Sequence, residues 1–413
     1  MAGPKRIVRG GIRRALRLLT RRSRSARPVV VEAYRGYGTP HRAVMSGRVF
    51  RQPSIGLGLA EATLARSLAD IVRRTLRRGL SGADVIARID GNEHRVAADG
   101  AGFFDLDMPL QFPSRPTGPW HRLALRVERE GEPLAEAQCD IYVPPPGASV
   151  VVISDIDDTV MHTGVASKLR MMWALFFTPA ESRLAFPGLA ALYRALHRGR
   201  GGDEGNPMLY VSRGPWAIYG LLEEFFRLHE IPVGPVLFLR DWGMHLQHPL
   251  PRLSRGHKLA LIRRMMDVYR DLPFVLIGDS GQRDPENYAR VVRDSPGRVK
   301  AVYIRDVSHD PRRRRAIEAL AEEAVRHGTA MVLAADSFAM AEHAARHGLI
   351  TGEAARAVLA EREQEAEAAT EESRPGPARR IEAEAPGQAG AEAGAACGGE
   401  QEAGGSTEVE RKP

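Results

Sequence analysis

The sequence predicts an α/β protein: a parallel sheet with helices on both faces, preceded by a β-sandwich-like domain and followed by a disordered acidic tail. Three observations carry this. Residues 148–350 alternate short apolar runs with helix-like stretches, the pattern of strands buried on both faces. Residues 28–147 carry β-branched and aromatic segments divided by turn signals, the pattern of an all-β unit. Residues 355–413 are rich in Ala, Glu and Gly with scattered Pro, a composition too poor in apolar residues to build a core.

The N-terminal segment, 1–27, holds ten Lys or Arg and no acid. Val8, Ile12, Ala15, Leu16 and Leu19 recur at helical spacing among these arginines, so the arm reads as an amphipathic helix on an anionic surface or as a plain basic tail. It lacks the apolar centre of a secretion signal. No aromatic residue stands among the arginines to stack on bases, so no nucleic-acid partner is expected. The tail from 361 reverses the charge, with thirteen Glu against six Lys or Arg. The net +8 therefore averages two opposite ends.

Within 28–147, the dipeptides Asp90-Gly91, Asp99-Gly100 and Glu130-Gly131 mark turns between strands. A helix-like stretch, "LAEATLARSLADIVRRTLRR", interrupts them, and "VPPPGAS" at 143–149 reads as a stiff linker. Within 148–350, strands are expected at 150–154, 208–212, 236–239, 274–278 and 299–304, with helices in "GPWAIYGLLEEFFRLHE" and "KLALIRRMMDVYRD". No run of about 18 apolar residues occurs, so no membrane span is expected. Cys139 and Cys397 lie far apart, which argues against a disulfide or zinc site and for a reducing cytoplasm.

The candidate chemistry sits at strand ends, where ligands of parallel sheets bind. "VVISDIDDT" ends an apolar run in Asp155, Asp157 and Asp158, followed by Thr159. Like charges this close repel unless a divalent cation or a similar partner neutralises them; a solvated turn or a helix cap is the bland alternative. "MLYVSRGPW" ends in Ser212, Arg213 and Gly214, which reads as an anion cradle or as an ordinary strand-to-helix turn. Lys258 opens a helix and offers a compact charge for a phosphate oxygen, although most lysines are solvated. "FVLIGDSGQRDPENY" brings Asp279 and Asp284 to a fourth strand end, and oxygen ligands of this kind suit magnesium.

In this order the four clusters resemble the haloacid-dehalogenase superfamily of phosphoryl-transfer enzymes over residues 150–306. The resemblance implies a Rossmannoid domain in which Asp155 is the nucleophile and Asp157 the general acid and base. Ser212 and Lys258 would stabilise charge, Thr159, Arg213 and Gly214 would contact substrate, and Asp155, Asp157, Asp279 and Asp284 would hold magnesium. More narrowly, "SDIDDTVMHTGV", "YVSRGPW", "HK", "LIGDSGQRDPENY" and "VYIRDV" are similar to the actin-patch-type phosphatidate phosphatase family. "YRGYGT", "GRVF" and "MVLAADSFAMAEHAARHGLI" extend the likeness to about residues 30–350. The resemblance implies magnesium-dependent hydrolysis of phosphatidate to diacylglycerol and phosphate, by an enzyme that is cytoplasmic or peripheral at the membrane.

"MMWALFF" at 171–177, preceded by Lys168 and Arg170, could dip into a bilayer or pack as a cap or core helix. His245, His248 and His257 fit no strong zinc spacing. The arginine run at 312–315 puts four cations at an expected helix start, against the dipole, so an anionic partner is one reading. Two competing functions remain at this level: the same chemistry on a soluble phosphoester or phosphoprotein, and a catalytically silent binding module.

Overall fold

The computed structural model describes residues 28–51, 79–111, 118–156, 188–212, 216–238, 257–308 and 310–372. All of these residues lie in one of the two units of the chain, Met1–Ser373. The basic arm, the helix-like stretch at 59–78, the apolar stretch at 171–177 and the tail beyond 372 lie outside the described residues.

The N-terminal region is β-rich. It comprises β1 (Val29–Ala33), β2 (Gly36–Thr39), β3 (Arg42–Arg51), β4 (Asp84–Ile89), β5 (Asn92–Ala97), β6 (Phe103–Pro109), β7 (Trp120–Arg129) and β8 (Glu132–Tyr142). Two of the expected turns close hairpins. Asp90-Gly91 joins β4 to β5 and Glu130-Gly131 joins β7 to β8, each with positive φ at both residues, the twist that suits a two-residue hairpin. The sequence predicts a two-sheet sandwich, but the hydrogen-bonded ladder is continuous, in the order β1-β3-β2-β8-β7-β4-β5 with β6 on β3. Short β2 makes the join, pairing antiparallel with β3 and parallel with β8. Gly36 permits this: a Cβ there would stand 2.4 Å from Ile141 and 2.5 Å from the Val44 carbonyl. The inward residues of this sheet, among them Met45, Phe104, Leu106, Leu123, Leu125 and Ile141, enclose one core.

The second sheet has six strands, all parallel, in the order β11-β10-β9-β12-β13-β14. They are β9 (Val151–Asp155), β10 (Met208–Ser212), β11 (Val236–Phe238), β12 (Phe274–Asp279), β13 (Val299–Arg305) and β14 (Ala330–Ala334). β9, β10 and β12 are buried along their whole length, as their unbroken apolar runs require. Helices α1 (Leu189–Arg198), α2 (Tyr219–Leu228), α3 (His257–Val268), α4 (Asp284–Asp294), α5 (Pro311–Arg326), α6 (Ser337–Arg346) and α7 (Gly352–Glu372) complete this part. Two apolar clusters lie on opposite faces of the sheet. Val152, Tyr210, Val275 and Tyr303 join α1, α2, α6 and α7 in one; Val151, Ile153, Leu276 and Ile304 join α3, α4 and α5 in the other.

Residues 355–372, the first part of the stretch rich in Ala and Glu, continue a helix, and Ala355 and Val358 lie in the first of these clusters. Helix α7 also completes α1. Gly188, the residue before α1, has φ 73° and no capping side chain. Its own N–H donates to Glu365 (2.8 Å) and that of Ala191 donates to Glu361 (3.0 Å), so carboxylates from α7 satisfy amides that a helix start leaves open. Arg194 pairs with the same Glu361.

The stretch 143–149, expected as a linker, is held at both ends. The Tyr142 hydroxyl donates to the Gly205 carbonyl at 2.7 Å, and Asn206 accepts from the N–H groups of Ser149 and Val150. Aromatic residues of the β-rich region enter the cores of the parallel sheet. Tyr34 belongs to the cluster on one face and Tyr37 to the cluster on the other. Tyr37 lies 6.0 Å from Tyr269, and Arg42 joins Asp107 of β6 to Asp267 of α3. Among the described residues no helix is long and apolar enough to cross a membrane.

Candidate active site

Strand β9 sits in the middle of the parallel sheet, between β10 and β12, and ends in Asp155. A carboxylate there is deeply enclosed, at 2 % exposure. The neighbouring strands end in Ser212 and Asp279, both fully buried. Ser154, one residue before Asp155, places its hydroxyl 2.6 Å from the Tyr193 hydroxyl of α1, which fixes the exit of the strand. Burial pushes the Tyr193 phenol above its usual value, so it stays protonated.

Lys258, the second residue of α3, lies 2.8 Å from Asp155 Oδ2 and also donates to Asp284 Oδ1. Burial alone would lower its pKa, but the Asp155 and Asp284 carboxylates overcome this and hold it above the ordinary lysine value. A cation near a helix N-terminus works against the dipole; here the two carboxylates offset that. Asp284 opens α4, where an acid suits the dipole. Its carboxylate lies directly over Gly278, where a Cβ would meet Asp284 Oδ2 at 2.4 Å. The Gly-Asp-Ser sequence therefore starts with glycine because a side chain would displace this acid.

Asp279 Oδ1 accepts from the N–H groups of Gly281 (2.8 Å) and Gln282 (3.1 Å). Burial, and next the charge of Asp284, push the Asp279 carboxyl above its usual value. One oxygen each of Asp155, Asp279 and Asp284 lie within 4.8 Å of one another. These three buried acids share Lys258, which leaves the cluster short of positive charge. A divalent cation with a preference for oxygen ligands fits that deficit, so the donor set suits magnesium.

The structure thus brings together Asp155, Ser212, Lys258, Asp279 and Asp284 at one edge of one sheet. Asp157, Thr159, Arg213 and Gly214 lie outside the described residues, as do Asp158, His245 and His248. His257 opens α3 beside Lys258.

Two contributors were not singled out by sequence reasoning. The Gln282 amide donates to Asp155 Oδ2 (3.2 Å) and Asp279 Oδ2 (3.4 Å). Arg313, from the arginine run, donates through Nε to the Ser280 carbonyl (2.9 Å), through Nη2 to the Gln282 carbonyl, and through both Nη atoms to Glu286. It clamps the loop that carries Asp279, Gln282 and Asp284. The run's charge is partly spent inside the protein, since Arg314 also pairs with Asp306 and the Asp310 side chain caps α5 through the Arg312 N–H. The Ser280 hydroxyl, accepting from Val307 (2.8 Å) and Ser308 (2.9 Å), ties the same loop to the end of β13.

Residues 150–306, which contain every one of these acids and Lys258, match the family model described as the catalytic domain of phosphatidate phosphatase APP1. The match covers the part of the chain that carries the site, and it is to that catalytic domain that this part is similar. Phosphatidate phosphatase APP1 of Saccharomyces cerevisiae is 30% identical over 183 residues, covering 44% of this chain and 30% of the yeast protein. An uncharacterized protein of Schizosaccharomyces pombe is 27% identical over 294 residues, covering 67% of this chain and 46% of that one. The chain thus spans less than half the length of these two relatives. Among solved structures, a carbohydrate acetylesterase from Xanthomonas citri aligns at 13% identity and a TM-score of 0.22, over 71% of this chain and 72% of that one. That likeness is too slight to bear on the site.

Proposed function

We propose that this protein is a magnesium-dependent phosphatidate phosphatase that works through an aspartyl-phosphate at Asp155. The observation that carries this is the Lys258 bridge between Asp155 and Asp284, with Asp279 in the same buried cluster, inside the domain that matches the APP1 catalytic model.

Asp155, Asp279 and Asp284 would hold the cation, joined by Asp157 if the family pattern applies. Bound there, magnesium supplies charge screening that lets an anionic carboxylate and an anionic phosphate meet. Asp155 attacks phosphorus in line, so that a carboxylate–phosphorus bond forms as the ester oxygen departs with its electron pair. Asp157 protonates that glycerol oxygen, then takes a proton from the water that cleaves the acyl-phosphate and restores Asp155. Lys258, held in place by Asp284, keeps its charge at Asp155 Oδ2 and meets the equatorial oxygens as negative charge spreads over them. Ser212, at the neighbouring strand end, offers a hydroxyl to the same phosphoryl group. Gln282 orients Asp155 against Asp279. The lipid surface would be met by the basic arm 1–27 and by residues 168–177.

The test is phosphate release from phosphatidate in mixed micelles, with and without magnesium, for the natural chain and Asp155→Asn. Release that needs the metal and disappears in the variant is expected. Metal-dependent cleavage of a soluble aryl phosphate without release from phosphatidate would move the substrate to the soluble class. Inactivity on both would remove the enzymatic reading.

A further inference from the structure

The β-rich region does more than stand beside the parallel sheet. Its side chains converge on the start of α2, the helix that follows the Ser212 strand end. Only three residues separate Ser212 from Trp216, which opens a single 3-10 turn, Trp216–Ile218, leading into α2. Trp216 is 5 % exposed.

Arg48 of β3 and Phe103 of β6 are cross-strand partners, and both lie against Trp216. The Arg48 guanidinium carbon stands 4.1 Å from the Trp216 ring centre and 4.8 Å from that of Phe103. Phe103 meets Trp216 edge-on at 5.6 Å. Arg48 is itself buried, and its Nε donates to the Ala101 carbonyl at 3.1 Å. Next to Ala101, Gly102 holds φ 82°, and a Cβ there would stand 2.2 Å from the Val49 carbonyl, so the turn that aims this carbonyl admits only glycine. A cation stacked between aromatic faces and removed from water is a strong and directional contact.

A second grip acts one turn further on. The Arg35 N–H donates to the Tyr219 hydroxyl at 3.0 Å, the Arg35 guanidinium pairs with Glu223, and Tyr34 lies 4.8 Å from Tyr219. Tyr34 also meets Phe238 at the end of β11. Four residues of the β-rich region thus hold the start of the crossover that leaves the Ser212 strand, and one of them, Tyr34, also meets Phe238, the partner of Ser212 across the sheet.

We infer that the β-rich region is a working part of the phosphate-binding half of the active site, with Arg48 as the positioning residue that sets Ser212 and the start of α2 through Trp216. The inference rests on the phosphatase reading above. It divides the site in two. The half built on β9, β12, α3 and α4 carries the acids and Lys258, and its β12–α4 loop is fixed by Arg313. The half built on β10 and α2 meets the anion and is fixed from the β-rich region. Damage to Arg48 should therefore weaken anion binding and leave cation binding intact, a split that general loosening of the fold does not produce.

The experiment uses the full chain and the variants Arg48→Gln, Arg48→Lys and Arg35→Gln. Hydrolysis of an aryl phosphate gives KM, kcat and the inhibition constant for inorganic phosphate. Calorimetric titration with magnesium alone gives the cation affinity. For Arg48→Gln, a rise of about tenfold in KM and in the phosphate inhibition constant is expected, with magnesium affinity within twofold of the natural chain. Arg48→Lys, which keeps the charge and loses the planar stack, should fall between. Arg35→Gln removes a half-exposed side chain; it should show the same selective loss in smaller degree and serves if Arg48→Gln does not fold. Unchanged phosphate inhibition in folded Arg48→Gln, or in Arg35→Gln where the former is unfolded, overturns the inference and leaves the phosphatase reading intact. Equal loss of phosphate and magnesium binding overturns it also. A natural chain that neither cleaves the aryl phosphate nor binds phosphate removes both.

Discussion

Replacing Lys258 by Met tests how the buried charges of the site are balanced. The ammonium is 5 % exposed and 2.8 Å from Asp155, with Asp284 on its other side. At an effective dielectric near 20, one such pair is worth about 6 kcal/mol of Coulomb energy. Several kcal/mol of this are offset by taking the ions out of water, and deleting one partner of a buried pair costs about 3–5 kcal/mol net because the other is left uncompensated. Methionine nearly preserves the shape, so the loss should be electrostatic. In thermal unfolding at pH 7.5 without metal, Lys258→Met should melt roughly 10 °C below the natural chain.

The pH dependence has a definite sign. The native pKa of Lys258 is raised, so its contribution is complete below the ordinary lysine value and is lost only as pH rises through the native one. Asp279 is also raised. Its contribution is complete below the ordinary carboxyl value and is lost as pH rises through its elevated native value, where the cluster takes on another negative charge. The deficit of Lys258→Met should therefore be widest at neutral pH and shrink toward pH 4. Magnesium at a hundredfold excess over the variant's dissociation constant should raise the variant's own stability by about 2.7 kcal/mol, and should narrow the deficit as far as the cation binds the variant more tightly than the natural chain. A deficit equal at pH 4.5 and 7.5 and indifferent to magnesium would refute this charge balance and make Lys258 a packing residue.

Two further outcomes follow from the same geometry. Arg313→Gln releases the loop bearing Asp279 and Asp284, so calorimetry should show magnesium affinity falling by about tenfold, the low end of the range for groups that support metal ligands; an unchanged affinity would mean the loop holds its shape unaided. His343 is lowered to about 4 by burial, then by His347 and Arg346, so its contribution to stability is present above about pH 6.5 and is lost as pH falls through its native value. His343→Gln, which retains a partner for the Tyr303 hydroxyl, should show a shallower fall in melting temperature between pH 7 and 4, and identical slopes would contradict the assignment.

What could be read in advance follows physical lines. The strands β9, β10, β11, β12 and β13 were legible to within a residue or so because burial on both faces demands unbroken apolar runs. β14 was not, since "AMVLA" is short and alanine-rich and reads equally well as helix. Asp155, Ser212, Asp279 and Asp284 were legible because each stands where an apolar run gives way to polar residues, whereas Lys258 gained weight only from the order of the clusters. Gln282 and Arg313 were not, for opposite reasons. Gln282 has no charge to mark it, and Arg313 is one of four identical cations, of which only the fold decides which turns inward. Tyr34 and Tyr37 stand in "YRGYGT", within the segment whose aromatic residues point to an all-β unit. Alternation tells that such a residue faces a core, but not which one, and here each faces a core of the other sheet.

The capping of α1 by Glu361 and Glu365 bears on the order in which the protein is completed during synthesis. Every acid of the site, and Lys258, has left the ribosome long before these two glutamates appear. Until they do, the first amides of α1 have only water as partners, and the core around Val358 lacks one wall. The helix that carries Tyr193, and through Ser154 the strand end beneath Asp155, is thus finished by the last described element of the chain. A nascent polypeptide stopped at residue 350 would carry the catalytic groups without the piece that locks their support.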